Sequence, residues 1–261
     1  MHSKLFVANT RILFISAAMD TTFHRHHAAQ ICIGLEAPFT LQVNKSSPKT
    51  LQLDAAIIAA DTEHMLCANN TPTASLFIEK EGEEYAQILQ QASLAGGESV
   101  LPLRISSVLR EQLISCYQSA QDTQTLSRLC EQLLAEFGGG KKTSYQQDPR
   151  IKTVLQALDQ CGNSQVPVDS LAELVHLSPS RLIHLFKSEV GIPIRRYSLW
   201  RRIRLGMEYA IKEKHSLTAA AYAAGFSDSA HFSKVFKEMF GVPPSVLTDK
   251  KAPVEVLFDE T

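Results

Sequence analysis

The chain has 261 residues, 44% of them hydrophobic and 20% charged, with a formal net charge of −1. That length holds two domains of ordinary size, and that balance belongs to a globular protein rather than a disordered one. No apolar run approaches the ~20 residues of a membrane-spanning helix, the N-terminal apolar stretch is too short for a signal peptide, and the five cysteines include no C-x-x-C pair, so the chain is expected in the cytoplasm with its cysteines as small buried hydrophobes.

The charge is uneven. Residues 149–248 carry 13 Lys/Arg against 8 Asp/Glu, whereas residues 1–148 carry 11 against 15. A basic C-terminal part beside an acidic N-terminal part fits a nucleic-acid binder with a separate sensing domain.

The first hundred residues read as strands. Short apolar runs at 12–16, 30–35, 39–43, 50–53, 56–59 and 75–78 are separated by turn residues at Pro38, Asn44 to Pro48, Asp61 and Asn69 to Pro72. Such spacing predicts a sandwich or barrel. The chemically distinctive side chains are His24-Arg25-His26-His27 and, later, His64. Side chains alternate along a strand, so His24 and His26 face one way, and a third histidine from a neighbouring strand would complete a facial set. Three readings stand: histidines lining an organic-effector pocket, a divalent-metal set, or hydrogen-bonded structural histidines. Barrel interiors of this size are natural small-molecule sites, so His24, His26 and His64 are assigned to effector binding, with no metal and no cofactor assigned. Glu79, Glu81, Glu83 and Glu84 read as a solvated face.

The middle turns helical. Residues 84–94 read as a helix ended by Gly96-Gly97. Ile105, Leu109, Leu113, Cys116 and Ala120 form one stripe, and Leu126, Leu129, Leu133 and Phe137 a second, both at helical period. These helices either cover the strands or pair with their copies in a homodimer. Gly138 to Gln147 is glycine-rich and then polar, the clearest linker in the chain, and its glycines lack phosphate-loop spacing.

From Leu171 to Pro244 one helical pattern occurs twice. Phe186, Lys187, Gly191 and Pro193 recur 50 residues later as Phe236, Lys237, Gly241 and Pro243. Each copy reads as a short helix, a tight turn and a second helix. In the first, Asp169 or Ser170 caps the leading helix, the turn falls at Val175-His176-Leu177, and Ser178 caps the next helix with Pro179 at its first position. Leu182, Leu185 and Phe186 make its core face, and Arg181, His184 and Lys187 its polar face. In the second, alanines thin the leading helix and Gly225 supplies the turn. Ser227 or Asp228 caps the next helix, whose core stripe is Phe232, Val235, Phe236 and Met239. Residues 194–212 between the copies read as one long helix carrying five arginines. This is the helix-turn-helix plan, in which the second helix enters the major groove. Two such helices held about one duplex turn (~34 Å) apart would read successive grooves.

These residues resemble the DNA-binding domain of AraC/XylS-type transcription regulators. Ala223-Ala-Gly-Phe-Ser-Asp-Ser-Ala-His-Phe-Ser-Lys-Val-Phe-Lys237, followed by Gly241-Val-Pro-Pro-Ser245, is close to the family signature, and the match spans about 148–248. The resemblance implies base-reading positions at Ser180, Arg181, His184, Ser229, Ala230, His231 and Lys234, and phosphate contacts at Ser178, Lys187, Arg201, Arg202, Ser227 and Lys237. His176 stands where many members have glycine, which predicts backbone strain in the first turn. More weakly, the N-terminal region resembles the cupin-like sensor domain of such regulators, with Gln30 near the place of the glutamate in metal-binding cupins.

The expected fold is therefore α+β: an N-terminal cupin-like β-barrel with flanking helices and a C-terminal all-α domain with two helix-turn-helix motifs joined by a long helix. The expected domains are 1–140 with helices at about 84–137, a linker at 141–147, a DNA-binding domain at 148–248, and a poorly ordered tail at 249–261. The expected partners are double-stranded DNA, a small-molecule effector, a second copy of the chain, and RNA polymerase. With no paired carboxylates or activated nucleophile, no catalytic residues are assigned. The alternative is a metal-dependent cupin enzyme or metal sensor fused to a DNA-binding module.

Overall fold

The computed structural model describes residues 3–8, 11–79, 85, 88, 98–138, 147–164, 166–248 and 254–259. Its contacts divide the chain into two compact units. One is residues 1–143 with 236–261, the other residues 144–235.

Among its described residues the first unit holds ten strands: β1 (Ser3–Val7), β2 (Arg11–Ser16), β3 (Ala29–Gly34), β4 (Phe39–Val43), β5 (Lys49–Leu53), β6 (Ala55–Ile58), β7 (His64–Cys67), β8 (Thr73–Ile78), β9 (Val100–Leu103) and β10 (Val254–Phe258). They form a seven-stranded sheet in the order β10-β1-β2-β8-β3-β6-β9 and a three-stranded sheet in the order β5-β4-β7. The predicted barrel is thus corrected: among the described residues the strands make two open sheets, and no pairing closes them into a cylinder.

Alternation along the strands accounts for the two cores. On β3, β6 and β8, residues 29, 31, 33, 55, 57, 74, 76 and 78 join one apolar cluster with helices α1 (Ser107–Gln118) and α2 (Thr123–Gly138). Cys32, Ala56 and Ile58 point the opposite way and meet Phe39, Leu41 and Leu66 of the smaller sheet. The larger sheet is therefore covered by helices on one face and by the second sheet on the other. Gln30 and Ser75 have the parity of Cys32, which directs them into the space between sheets.

The stripes expected around 105–120 and 126–137 are both spent within this unit. Leu109, Leu113 and Cys116 of α1, with Leu129, Leu133 and Phe137 of α2, are buried against the sheet. The predicted helix over 84–94 and most of the predicted linker lie outside the described residues. The tail departs from expectation. Val254 to Phe258 pairs in parallel with Ser3 to Val7 as an edge strand, Asp259 N donates to Val7 O at 2.9 Å, and Lys4 Nζ lies 3.4 Å from a Glu255 carboxylate oxygen.

The second unit is helical: α3 (Pro149–Gln160), α4 (Val168–Leu174), α5 (Pro179–Val190), α6 (Ile194–Ile211), α7 (Leu217–Ala223) and the first part of α8 (Ser229–Phe240). Leu182 and Phe186 of α5 pack with Ile151, Val154, Leu171 and Ala172 in one core. The leading helix of the first copy starts two or three residues earlier than predicted. Pro167 is its cap residue and no side chain caps it.

Candidate DNA-reading helices and a buried histidine cluster

Local chemistry fixes where α5 and α8 begin. Ser178 Oγ accepts from Arg181 N at 3.3 Å, and Pro179 follows it at a position where its missing N–H costs nothing. Asp228, rather than Ser227, caps α8, and its Oδ1 accepts from His231 N at 2.6 Å. The amide donors of its first turn hold the Asp228 carboxyl below the usual carboxylate range. Each such cap stabilises its helix by about 1 kcal/mol. Gly191, in the left-handed region at φ 90°, ends α5.

Both helices have an inward apolar face and an outward polar one. Leu182, Phe186, Phe232, Val235 and Phe236 are buried. Ser180, Arg181, His184 and Lys187 of α5 are exposed, as are Ala230, His231, Lys234 and Lys237 of α8, and Ser229 is half-buried. Ser178 and Ser227, one residue or two before each helix, are exposed as well. Arg195, Arg201 and His231 line a cleft of about 810 Å³, which brings cations of α6 beside the start of α8.

Two arginines of α6 expected at phosphates make contacts within the helical unit. Arg201 is paired with Asp159, its Nε 2.7 Å from Oδ1. Arg202 is turned inward. Its Nε donates to Ala224 O at 3.0 Å, its NH2 group donates to Gly225 O, and its guanidinium lies 4.3 Å from the Phe226 ring centroid. It holds the second turn together from inside, and burial lowers its pKa. A buried cation of this kind has no sequence signal that separates it from its exposed neighbours.

The two turns are built differently. Gly225 has φ 78°, and a Cβ there would stand 2.6 Å from Asn163 O, so both conformation and space demand glycine. At the matching place His176 has φ 54°, which bears out the strain expected from its side chain.

In the first unit, residues from distant runs meet. His24 precedes β3 in an irregular segment rather than a strand, and joins His64 of β7 through an isolated bridge: His24 N donates to His64 O at 2.9 Å and His64 N to His24 O at 3.0 Å. One ring nitrogen from each of His24, His26 and His64 lies within 4.8 Å of the others, and all three side chains are buried. His27, next in sequence, turns away, with Nδ1 3.4 Å from Asp61 Oδ2. Burial first, and then the neighbouring His26, pushes His24 down to about 3. Burial likewise lowers His26 and takes His64 well down. The cluster is therefore a set of neutral imidazoles at neutral pH.

Each ring is oriented by its backbone. Nδ1 of His24 faces Thr22 O at 2.9 Å, that of His26 faces Ala28 O at 2.7 Å, and that of His64 faces Thr62 O at 2.9 Å. A carbonyl only accepts, so each Nδ1 carries the hydrogen and each Nε2 a lone pair. Gln30 Oε1 stands 3.1 Å from His26 Nε2 and 3.2 Å from His64 Nε2, and the Gln30 amide nitrogen donates to Ser75 Oγ at 2.9 Å. Gln30, though four residues after His26, was not among the assigned site residues. Ser75 carries no signal beyond its strand parity. Within the same unit, Thr22 N and Thr22 Oγ1 donate to Gly241 O at 2.9 and 3.0 Å, and Arg25 N donates to Glu238 O at 3.1 Å.

Among the described residues no helix is long and apolar enough to cross a membrane. Residues 171–250 match a helix-turn-helix domain family. The probable transcriptional regulator LumQ of Photobacterium leiognathi is 26% identical over 86% of this chain and 90% of its own length. The arabinose operon regulatory protein of Escherichia coli is 32% identical over 38% of this chain, and the match spans only 34% of that regulator's length. Crystallised ToxT of Vibrio cholerae superposes with a TM-score of 0.61 at 13% identity, covering 91% of this chain and 96% of that one, which shows a shared fold. ToxT has also been crystallised with an unsaturated fatty acid bound. The doubled helix-turn-helix, its match over residues 171–250 and the named regulators it resembles point one way: the chain is similar to AraC-type DNA-binding transcription regulators.

Proposed function

We propose that this regulator reads its operator with α5 and α8 in two successive major grooves, and that a small-molecule effector received in the N-terminal unit controls the reading. The observation that carries the first part is the matched pair of capped helices, each with an apolar face buried and a polar face outward. Ser180, Arg181 and His184 form one base-reading face, and Ser229, Ala230, His231 and Lys234 the other. Arg and Lys suit guanine edges, and Ser is tolerant. Ser178, Ser227 and the helix N-termini hold phosphates, helped by Lys187, Lys237 and Arg201. Arg202 is left out, because its donors are engaged inside the domain. Helix α6, with 18 residues, is ~27 Å long and serves as a rigid spacer.

This reading is tested by moving the two half-sites apart. Insertion of about 5 base pairs, half a duplex turn, puts the second groove on the far face and abolishes tight binding, whereas about 10 base pairs restores the face. Equal affinity for all three spacings would refute two-groove reading.

The effector reading rests on the buried histidine cluster and on the bonds of its neighbours Thr22 and Arg25, within one unit, to Gly241 and Glu238 at the end of α8. The unsaturated fatty acid bound by the structurally similar ToxT supports a small-molecule effector. A second copy of the chain is proposed as a partner through α1 and α2, where Val108 is exposed. Sedimentation of the full chain tests it, and a monomer at all concentrations would refute it. RNA polymerase is the further partner that activation would require.

A further inference from the structure

The cleft of about 810 Å³ in the helical unit is made of two kinds of surface, and all of its lining lies within residues 144–235. Its floor is apolar. Leu158 and Ile194 are buried there and belong to the core around α5, with Val166, Val168 and Leu199 half-buried beside them. Its edge is cationic. Arg201 is paired with Asp159, and Arg202 is held by the carbonyls of Ala224 and Gly225. Arg195 differs from both: it is exposed, and among the described residues it makes no hydrogen bond or ion pair. His231, in the first turn of α8, stands at the same cleft, its ring 5.3 Å from that of Phe226 between centroids.

Small-molecule sites are concave, mostly apolar, about 300–1,000 Å³ in volume, and carry a few polar groups that fix orientation. This cleft has that anatomy, and its chemistry narrows the occupant. Sugars and other polyhydroxylated molecules do not suit it, because their hydroxyls would meet Val166, Val168 and Leu199 with nothing to bond. Metal ions do not suit it, because its edge is already positive. A molecule with an apolar body and one anionic end satisfies both surfaces, and a guanidinium matches a carboxylate in shape as well as in charge.

We propose that this cleft binds an amphipathic carboxylate, its hydrocarbon body over Val166, Val168 and Leu199 and its carboxylate on Arg195, and that the bound molecule shuts the operator off from His231. This is a second ligand site, separate from the effector site of the first unit. Its effect on DNA rests on the reading that His231 faces bases. Since His231 belongs to the cleft and to that reading face alike, ligand and operator contend for one surface, and each weakens the other by the same factor.

The test uses the full chain and decanoate, kept below its micelle-forming concentration and titrated by calorimetry without DNA. Saturable binding is expected. Arg195→Glu weakens it by about 10- to 100-fold, the loss of one hydrogen bond to a charged group, and Arg195→Lys retains most of it. Octanoate, two methylenes shorter, binds about tenfold more weakly, and uncharged decanol loses what Arg195→Glu loses. Arg195 is exposed, so its variants fold, and melting curves check this. A second variant, Leu199→Asn, weakens decanoate through the floor and leaves the charge in place. Operator affinity, followed by anisotropy, falls as decanoate is added to the unaltered chain and holds steady in Arg195→Glu. Absence of saturable binding overturns the site. So does equal binding by Arg195→Glu, which would give the decanoate to the first unit. Decanoate lost in Arg195→Glu, yet without effect on operator affinity in the unaltered chain, overturns the exclusion of DNA and with it the placing of His231 at the bases.

Discussion

Gly206 of α6 lies against Phe232 of α8: a Cβ at residue 206 would stand 2.5 Å from Phe232 Cε2 and 3.4 Å from the Ala224 Cβ. Phe232 is fully buried, so its ring has no room to withdraw. The helix-favouring gain of alanine is about 1 kcal/mol, and overpacking costs about 1–3 kcal/mol. Gly206→Ala is therefore expected to lower the melting temperature and weaken operator binding through α8. An unchanged or raised melting temperature would show that the contact relaxes freely.

The paired turns give opposite expectations for the same kind of change. A non-glycine residue in the left-handed region costs about 1–2 kcal/mol, while glycine's extra freedom when unfolded returns about 0.5–1 kcal/mol. His176→Gly is expected to stabilise the chain by up to about 1 kcal/mol, within that difference. Gly225→Ala takes on the same strain and also drives a methyl group into Asn163 O. It is expected to destabilise by about 2 kcal/mol or more. Denaturant unfolding of both variants checks the contrast, and effects of the same sign would contradict it.

Arg181 and Lys234 extend from the outward faces of α5 and α8. Replacing either with alanine is expected to cost about 1–3 kcal/mol in operator binding and to relax preference at one or two base pairs. Lys187→Ala or Lys237→Ala weakens all sequences alike and flattens the salt dependence by about one unit of slope. Fluorescence anisotropy on operator and scrambled duplexes distinguishes them. Loss of affinity for both duplexes equally in Arg181→Ala would move that residue from bases to phosphate.

Burial holds His24 near 3 against an ordinary 6.5, and it lowers His26 and His64 in the same direction. The unfolded chain takes up protons as pH falls below 6.5, while the folded cluster stays neutral until far lower. Protons therefore favour the unfolded state in between. Stability is complete above about 6.5 and is lost as pH falls toward 3, with each such histidine contributing up to about 1.4 kcal/mol per pH unit. The other titrating or charged groups acting on the cluster are His27 and Asp61. The melting temperature of the chain is expected to fall steeply below neutrality. A flat profile down to about pH 5 would mean that the histidines are protonated while folded.

The helical half was legible because each of its signals is local. Ser178-Pro179 and Asp228 mark helix starts within four residues, Gly191 and Gly225 mark reversals, and Leu182, Phe186, Phe232 and Phe236 repeat at helical spacing. In the strand half, runs such as 39–43 and 75–78 were visible, and Asn44, Asp61 and Asn69 do adopt the left-handed turns expected near them. What local signals do not carry is pairing. β7 and β9 are short, β10 pairs with a strand some 250 positions away, and whether the sheets close depends on all the registers at once. The convergence of His24, His26 and His64 was foreseen from alternation. It arises instead from an irregular segment bridged to β7, which places His26 toward the cluster and His27 away from it.

Because β10 completes the sheet at β1, the first unit is not a continuous stretch of sequence. A fragment ending near residue 140, the obvious choice for studying oligomerisation, would leave the hydrogen-bonding edge of Ser3–Val7 bare and Lys4 without Glu255. Bare edges recruit strands from neighbouring molecules. Dimers seen with such a fragment would then report the missing strand rather than a native interface, and adding back residues 254–258 as a free peptide should dissolve them.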